Sequence, residues 1–283
     1  MARLLDFDEF FIPMDVWIEN GVDWLVGNFR AQFQIIKWPV EVTLEGIDEF
    51  LNWLPPSVVL IVLMLIAWKS AGKLVALFSL ITFFLIGCMG LWSETMTTLA
   101  MVLSAVIFCA VVGIPLGIVA SRSDGFSAAI RPILDTMQTT PAFVYLVPVV
   151  MLFSIGTVAG VIATIIFAMP PIIRLTNLGI RQVHPELIEA AQAFGSTPMQ
   201  ILLKVQIPLA LPTIMAGLNQ TIMLSLSMVV IAALIGAGGL GVPVFQGLNS
   251  LQVGLAGIGG ISIVLMAMVL DRITQALGNW WKT

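Results

Sequence analysis

The sequence predicts an all-α polytopic membrane protein with about seven transmembrane helices, preceded by an N-terminal amphipathic helical segment. Apolar residues make up 59% of the 283 positions and charged residues only 10%, whereas soluble domains carry about 25% charged residues. The mean hydropathy of +1.05 leaves too little polar surface to cover a globule in water. Together with the net charge of −4, this composition excludes a soluble enzyme and a nucleic-acid binder.

Apolar stretches close to the length that crosses a bilayer, about 20 residues, divide most of the chain. They predict seven spans, at residues 55–68, 74–92, 96–120, 141–156, 157–173, 210–235 and 251–270. Pro55 and Pro56 favour a helix start for the short first span, because proline is tolerated in the first helical turn. Only Gly156 and Thr157 separate the fourth span from the fifth, which predicts a tight helical hairpin.

The distribution of charge predicts how these spans are oriented. Nine of the twelve basic residues lie in alternate connections or near the C-terminus: Lys69, Lys73, Arg122, Arg131, Arg174, Arg181, Lys204, Arg272 and Lys282. The positive-inside rule makes that side cytoplasmic. The remaining basic residues, Arg3, Arg30 and Lys37, lie in the first 54 residues with ten of the sixteen acidic ones. We therefore expect the N-terminal segment outside the cell and the C-terminus inside.

The first 54 residues show two amphipathic patterns and no span. One apolar face holds Trp17, Ile18, Val22, Leu25 and Phe29, and after Trp38 and Pro39 a second holds Val40, Leu44, Ile47, Leu51 and Leu54. Such stripes suit two helices that either lie flat on the membrane or pack on the protein's own outer face. Their acidic opposite faces predict an external position. Asp6, Asp8 and Glu9 also argue against a secretory signal peptide here.

Ionisable side chains are nearly missing from the predicted spans, which argues against a proton- or ion-coupled carrier. Glu94 lies at a span start, Asp271 at a span end, and the single histidine, His184, in a cytoplasmic loop. Cys88 and Cys109 lie within apolar runs and are expected to be small buried hydrophobes. A single histidine cannot form a His-based metal site or catalytic dyad, and no P-loop motif occurs, so the energy for any transport is expected to come from elsewhere.

Residues 236–241 match the pattern G-x-G-x-x-G, which in dinucleotide-binding proteins follows a strand and precedes an acidic residue by about 20 positions. Here the pattern follows a span, and no Asp or Glu occurs before Asp271. A flexible or re-entrant external loop is therefore the better interpretation.

Small residues that let helices approach closely are expected at Gly113 and Gly117 and, in the last span, at Gly254, Gly257, Gly259 and Gly260.

The longest cytoplasmic connection, residues 174–209, carries clear local signals. Pro185 suits a first helical position, with Glu186 in the opening turn, where the helix dipole favours acids. That helix is expected to end at Gly195, which can adopt the left-handed conformation of a C′ residue. Thr197 can cap a second helix. These signals predict two short helices around a glycine corner, a rigid knob that a partner's socket could hold.

The same connection contains Glu189-Ala190-Ala191-x3-Gly195, followed after nine residues by Val205-x-Ile207-Pro208. The pattern resembles the EAA loop, E-A-A-x3-G-x9-I-x-L-P, of ATP-binding-cassette importer permeases, and departs from it only by Val205 and Ile207. Three further segments are similar to permeases of bacterial glycine betaine/proline betaine importers, at residues 140–148, 238–245 and 271–278. The resemblance covers roughly residues 55–280.

The resemblance implies a type I importer permease core that forms one half of a homodimeric pore in the bacterial cytoplasmic (inner) membrane. Two cytoplasmic ATPase subunits would dock on the loop through Glu186, Glu189, Ala190, Ala191 and Gly195. It implies that ATP binds to those subunits and that this chain is a non-catalytic pore subunit with no cofactor of its own. An external or periplasmic binding protein would deliver a zwitterionic osmoprotectant with a quaternary ammonium group.

Aromatic faces hold quaternary ammonium groups through cation–π attraction. Phe143, Tyr145, Phe153 and Phe167 lie in the central spans and are candidates for the translocation path, although aromatics in spans serve mostly in packing.

Three alternatives for the function stay open. They are an importer of the same architecture for carnitine, choline or an amino acid, a secondary carrier with internal repeats and a coupling-ion site, and a structural membrane scaffold.

Overall fold

The computed structural model describes residues 13–279, which form twelve α-helices. These are Met14–Trp53 (α1), Pro56–Ala71 (α2), Lys73–Cys88 (α3), Trp92–Arg122 (α4), Asp124–Thr139 (α5), Leu146–Phe153 (α6), Thr157–Arg181 (α7), Pro185–Ala193 (α8), Pro198–Ile201 (α9), Ile207–Ala232 (α10), Gly241–Asn249 (α11) and Val253–Asn279 (α12). Ala142–Tyr145 and Ala233–Ile235 are 3-10 turns, and Leu202–Gln206 is π-helical. Five residues of the charge argument, Arg3, Asp6, Asp8, Glu9 and Lys282, lie outside the described residues.

Within the described residues, four helices are long and apolar enough to cross a membrane: α4, α7, the run Pro198–Ile235 that contains α10, and most of α12. Counting each of two bent helix pairs as one span raises the number to six, and the shorter apolar helix α3 lies at the remaining predicted span, 74–92. The predicted span 141–156 is only partly helical and is short as a helix. Its helix α6 has eight residues, about 12 Å, against a hydrocarbon core of about 30 Å.

One bent pair consists of α5 and residues 142–153, which meet at 105°. The bend has a local cause, because Pro141 disfavours the helical conformation for the residue before it. Thr140 is accordingly extended, with φ −69° and ψ 127°. Apolar runs in the sequence do not predict α5, since charged side chains such as Arg131 and Asp135 interrupt it.

Residues Met14–Trp53 form one helix, and the predicted break at Pro39 is wrong. Proline removes one backbone hydrogen bond, but apolar side chains on both sides of it pack on the bundle. The rings of Phe33 and Phe153 lie edge to face with centroids 5.8 Å apart, and Val40 and Leu44 are buried. The second half of α1 therefore packs on the protein's own surface, whereas residues 14–29 are mostly exposed.

Helices α4, α7 and α10 pack together as the centre of the bundle, with α12, α2 and α3 against one another at its side. The predicted close approach at Gly113 and Gly117 is confirmed. A Cβ on Gly113 would lie 2.5 Å from Ile172 Cγ2, and a Cβ on Gly117 would lie 2.5 Å from Thr176 Cβ. Only glycine at both positions lets α4 and α7 meet at this distance.

Two expectations about small residues are only partly right. In the last span, a Cβ on Gly259 would lie 2.8 Å from Val244, but the other three glycines have no neighbour within 4 Å of such an atom. Cys109 is buried, as expected, whereas Cys88 is exposed. The reason is its position at the last residue of α3, where it lines a cavity with Trp92.

Candidate functional site

The two ends of the bundle differ in charge. Helices α4 and α7 finish at the same end, where Arg181 Nη2 donates to the Ala120 carbonyl at 2.9 Å. We call this the basic end, formed by Arg122, Arg131, Arg174, Arg181 and Lys204. At the opposite, acidic end, Glu41, Glu45 and Asp48 of α1 line a cavity of about 320 Å³ together with the first turn of α7.

The glycine-rich segment 236–241 lies at the acidic end and follows helix α10, not a strand, so the dinucleotide geometry is missing from it, as the sequence indicates. Two hydrogen bonds hold it in place. The Leu240 N–H donates to Thr98 Oγ1 at 2.7 Å, and the Gly238 N–H donates to Thr157 Oγ1 at 3.4 Å. The segment leads into α11, a nine-residue helix that the loop interpretation does not include.

At the basic end, the first half of the predicted knob is α8, and none of its nine residues is buried. It ends as the sequence predicts, with Gly195 in the left-handed region at φ +77°. The Gly195 N–H donates to Gln192 O at 2.8 Å, and the Ser196 N–H donates to Ala191 O at 3.0 Å. This pair of bonds is a Schellman motif, which fixes the direction in which the chain leaves the helix.

The second half begins with the predicted cap. Thr197 Oγ1 accepts a bond from the Gln200 N–H, and Gln200 Oε1 accepts one from the Thr197 N–H at 2.8 Å, which is a capping box. Helix α9 then passes through a π-helical segment into α10. The wider turn ends two residues before Pro208, which has no N–H to continue the α-helical pattern.

The corner between α8 and α9 presents apolar side chains to solvent. Phe194 is 90% exposed, and Leu187 and Met199 are exposed as well. An aromatic side chain held out on a rigid corner is typical of a surface that docks a partner. The structure also brings the predicted loop residues Glu186, Glu189, Ala190, Ala191 and Gly195 together on one short helix and its cap.

Two arginines, which the sequence marks only as signals of orientation, fasten the base of this loop. Arg181 Nη1 lies 2.6 Å from Asp124 Oδ1, and Arg122 Nη2 donates to the Pro198 carbonyl at 3.0 Å. These partners are 57 and 76 positions apart in the chain. No spacing rule pairs residues at such separations, so the sequence gives no signal for either contact.

The four candidate aromatic side chains do not converge on one site. Tyr145 and Phe167 pair edge to face with centroids 6.4 Å apart, and the Tyr145 hydroxyl donates to Met137 O at 2.7 Å. Phe153 is buried against α1, and Phe143 is 60% exposed. Tyr145 thus lies near two of the other candidates, because its ring pairs with Phe167 and its side chain lines a cavity of about 660 Å³ together with Phe153.

Asp271 lies within α12, eight residues before the last described residue, and forms a polar cluster with α10. Its Oδ1 accepts from Asn219 Nδ2 at 2.8 Å and from Gln275 Nε2 at 2.7 Å. Glu94 lies in the first turn of α4, as predicted. Within residues 13–279, no three His, Cys, Asp or Glu side chains are grouped closely enough to hold a metal ion.

Comparison with known proteins identifies the family. Residues 113–282 match the model described as binding-protein-dependent transport system inner membrane component. The chain belongs to this family. It is 55% identical over 278 residues to the glycine betaine/proline betaine transport system permease protein ProW of Escherichia coli (strain K12), covering 98% of this chain and 78% of that protein. It is 45% identical over 276 residues to the glycine betaine/carnitine transport permease protein GbuB of Listeria monocytogenes serotype 1/2a (strain 10403S), covering 96% of this chain and 98% of that protein.

The fold agrees with the family. Inward-facing structures of the MetNI methionine ABC transporter include a chain that is 25% identical, with a TM-score of 0.55, covering 64% of this chain and 89% of that one. The expected type I importer permease core is thereby confirmed. The segment that matches the inner-membrane-component model contains the whole of the connection from α7 to α10.

Proposed function

We propose that this chain is the permease subunit of an ABC importer that takes up glycine betaine and proline betaine-type osmoprotectants by ATP-driven alternating access. The observation that carries the proposal is 55% identity over 98% of the chain to a permease of that name. The exposed corner between α8 and α9, where the EAA pattern lies, supports it independently.

In this proposal the chain is a non-catalytic half of a homodimeric pore, and ATP binds to two cytoplasmic ATPase subunits. Those subunits dock on the corner formed by Glu189, Ala190, Ala191 and Gly195, with Phe194 as its most exposed apolar side chain. Closure of the ATPases on ATP draws the two loops together and shifts the pore between outward and inward access. The transporter is thus driven by differential contacts in two states, not by chemistry in this chain.

The proposal places the basic end in the cytoplasm and the acidic end outside the cell, with an external binding protein docking on the latter. The positive-inside rule supports this orientation, because five basic residues cluster where α4 and α7 finish. The second half of α1 carries Glu41, Glu45 and Asp48 at the opposite end. Helix α1 would then lie on the external surface of the membrane domain.

Tyr145 and Phe167 are the aromatic pair that we assign to the translocation path for the quaternary ammonium group, since their rings are neighbours between α7 and the 3-10 turn before α6. A second candidate function is uptake of carnitine by the same architecture. It is favoured by the 45% identity to a permease whose name includes that solute.

The test is uptake of labelled solute into proteoliposomes that contain this chain with its cognate ATPase and binding protein. Uptake of glycine betaine that needs both ATP and the binding protein supports the proposal. Uptake of carnitine or choline in place of betaine would replace the substrate and keep the architecture. Uptake driven by an ion gradient without ATP would contradict the importer itself.

A further inference from the structure

The corner between α8 and α9, which we call the coupling corner, is attached to the bundle at three places. One of these attachments is not covalent. Helix α8 follows α7 directly, and α9 leads into α10 through the π-helical segment. Helix α4 has no chain connection to either arm. Its last residue, Arg122, reaches the loop instead, with Nη2 donating to the carbonyl of Pro198, the first residue of α9, at 3.0 Å.

The end of α4 that carries Arg122 is itself held firmly. Arg181, the last residue of α7, donates from Nη2 to Ala120 O at 2.9 Å and from Nε to Asn177 Oδ1 at 2.8 Å, and its Nη1 pairs with Asp124. Ala120 is two residues before Arg122. The bond from Arg122 to α9 therefore starts from a point that is fixed to both α4 and α7.

The opposite end of the same bond lies next to the most deformable part of the loop. Helix α9 has four residues and continues as a single π-helical turn, Leu202–Gln206. A π-helical turn is a local irregularity at which a helix can bend. Without a bond at Pro198, a push on the exposed corner would be absorbed by bending at this turn and would not move the transmembrane helices together.

We propose that Arg122 is a positioning residue that clamps the α9 arm of the coupling loop to the end of α4, so that α4, α7 and α10 move as one unit when the loop is displaced. This inference rests on the proposed function, because it assumes that ATPase subunits displace the loop. It adds a residue outside the EAA pattern to the coupling apparatus. Arg122 acts through the loop and contacts no substrate.

The chain offers a matched control on the same face of the molecule. Arg131 also lies at the basic end and is exposed, but within the described residues it makes no hydrogen bond or ion pair. Arg122→Met removes the guanidinium and keeps the aliphatic stem, and Arg131→Met makes the same chemical change without breaking a contact. Arg122→Lys keeps one charged donor, which can still reach a carbonyl oxygen.

The first experiment measures the number of betaine molecules imported per ATP hydrolysed in proteoliposomes with the cognate ATPase and binding protein. Arg122→Met should lower this ratio by about threefold to tenfold, the factor that one ordinary hydrogen bond is worth, while stimulated ATP hydrolysis stays within about twofold of the parent. Arg122→Lys should restore most of the ratio, and Arg131→Met should leave it unchanged. An unchanged ratio in Arg122→Met, or an equal fall in Arg131→Met, would overturn the proposal.

A second measurement needs no transport and decides the matter if Arg122→Met assembles poorly or the parent transports no betaine. Amide hydrogen exchange of the permease reports the opening of α9 directly. The amides of residues 199–203 should exchange faster in Arg122→Met than in the parent and in Arg131→Met. Equal exchange in all three proteins would show that Arg122 does not hold the arm, whatever solute the complex carries.

Discussion

Gly117 of α4 lies directly against Thr176 of α7, so that a Cβ on the glycine would come within 2.5 Å of the threonine Cβ and 2.8 Å of the Ile173 carbonyl oxygen. No rotation of a side chain relieves contact with a backbone oxygen. This contact fixes the distance between the two helices whose ends meet where Arg181 donates to the Ala120 carbonyl at the basic end. Substitution of Gly117 tests how far the stability of the bundle depends on the distance between α4 and α7.

Gly117→Ala should destabilise the folded protein in detergent by about 1–3 kcal/mol, because overpacking forces the helices apart. The matched control is Gly257→Ala, which adds the same methyl group to α12 where nothing lies within 4 Å. Alanine is the better helix former, so the control should be neutral or slightly stabilising. Thermal unfolding of both variants would distinguish the two, and equal midpoints would show that the α4–α7 contact is not tight.

Thr98→Val should destabilise the acidic end, since Thr98 Oγ1 accepts the N–H of fully buried Leu240 at 2.7 Å. Valine keeps the shape but leaves that N–H unsatisfied, at a cost of about 1–3 kcal/mol. Thr97→Val is the control, because it makes the same chemical change at the neighbouring residue. Thr97 lines the cavity at the acidic end and does not accept the Leu240 N–H. Hydrogen exchange at Leu240 should accelerate in the first variant only. Protection retained in Thr98→Val would mean that another acceptor holds the glycine-rich segment.

The proposed orientation can be tested with single cysteines in a chain whose Cys88 and Cys109 are replaced. Glu49→Cys on α1 and Gln192→Cys on α8 are both exposed positions on opposite ends of the bundle. A membrane-impermeant maleimide should label the first in intact cells and the second only after permeabilisation. The cysteine-free chain supplies the background. The reverse pattern would place the EAA corner outside and remove the basis for ATPase docking.

Phe167→Leu should weaken the apparent affinity for betaine by about twofold to thirtyfold, because a cation over an aromatic face gains about 0.5–2 kcal/mol. The concentration of betaine that gives half-maximal uptake measures this apparent affinity. Phe83→Leu is the control, since Phe83 is fully buried in α3 and does not line the cavity that Tyr145 lines. A similar shift in both variants would point to a general packing effect, and no shift in Phe167→Leu would remove this ring from the translocation path.

The coupling corner is where sequence reasoning succeeds best, because its signals are local. Pro185, Gly195 and Thr197 each act on the one turn in which they lie, so the start of α8, its left-handed end and the cap of α9 are predictable. Membership of the importer permease family follows from the same short stretch. The tight α4–α7 contact is also predictable, since Gly113 and Gly117 share one helical face.

The errors have a different origin, because they depend on packing between distant segments. Pro39 ends a helix by local rules, yet α1 continues because Phe33 and Val40 pack on the bundle on either side of it. Helix α5 is too polar to be found from apolar runs, and its bend against residues 142–153 shortens a predicted span. Of the four predicted path aromatics, Tyr145 pairs with Phe167 and lines a cavity with Phe153, whereas Phe143 is exposed.

In the proposed mechanism, the glycine corner between α8 and α9 transmits ATP-driven motion to the pore. Gly195 has φ +77° and open space around its α-carbon, so a side chain there meets no clash and acts through the backbone alone. A left-handed conformation costs a non-glycine residue about 1–2 kcal/mol, and more for a β-branched one, whereas asparagine tolerates it. Gly195→Asn is therefore the matched control for Gly195→Val.

The most direct measurement is ATP-dependent betaine uptake by these two variants in proteoliposomes with the cognate ATPase and binding protein. We expect Gly195→Val to lose most uptake, through weaker ATPase association or fewer betaine molecules moved per ATP, while Gly195→Asn stays close to the parent. Full uptake and full ATPase association in Gly195→Val would contradict this mechanism, because the shape of the corner would then have no part in coupling.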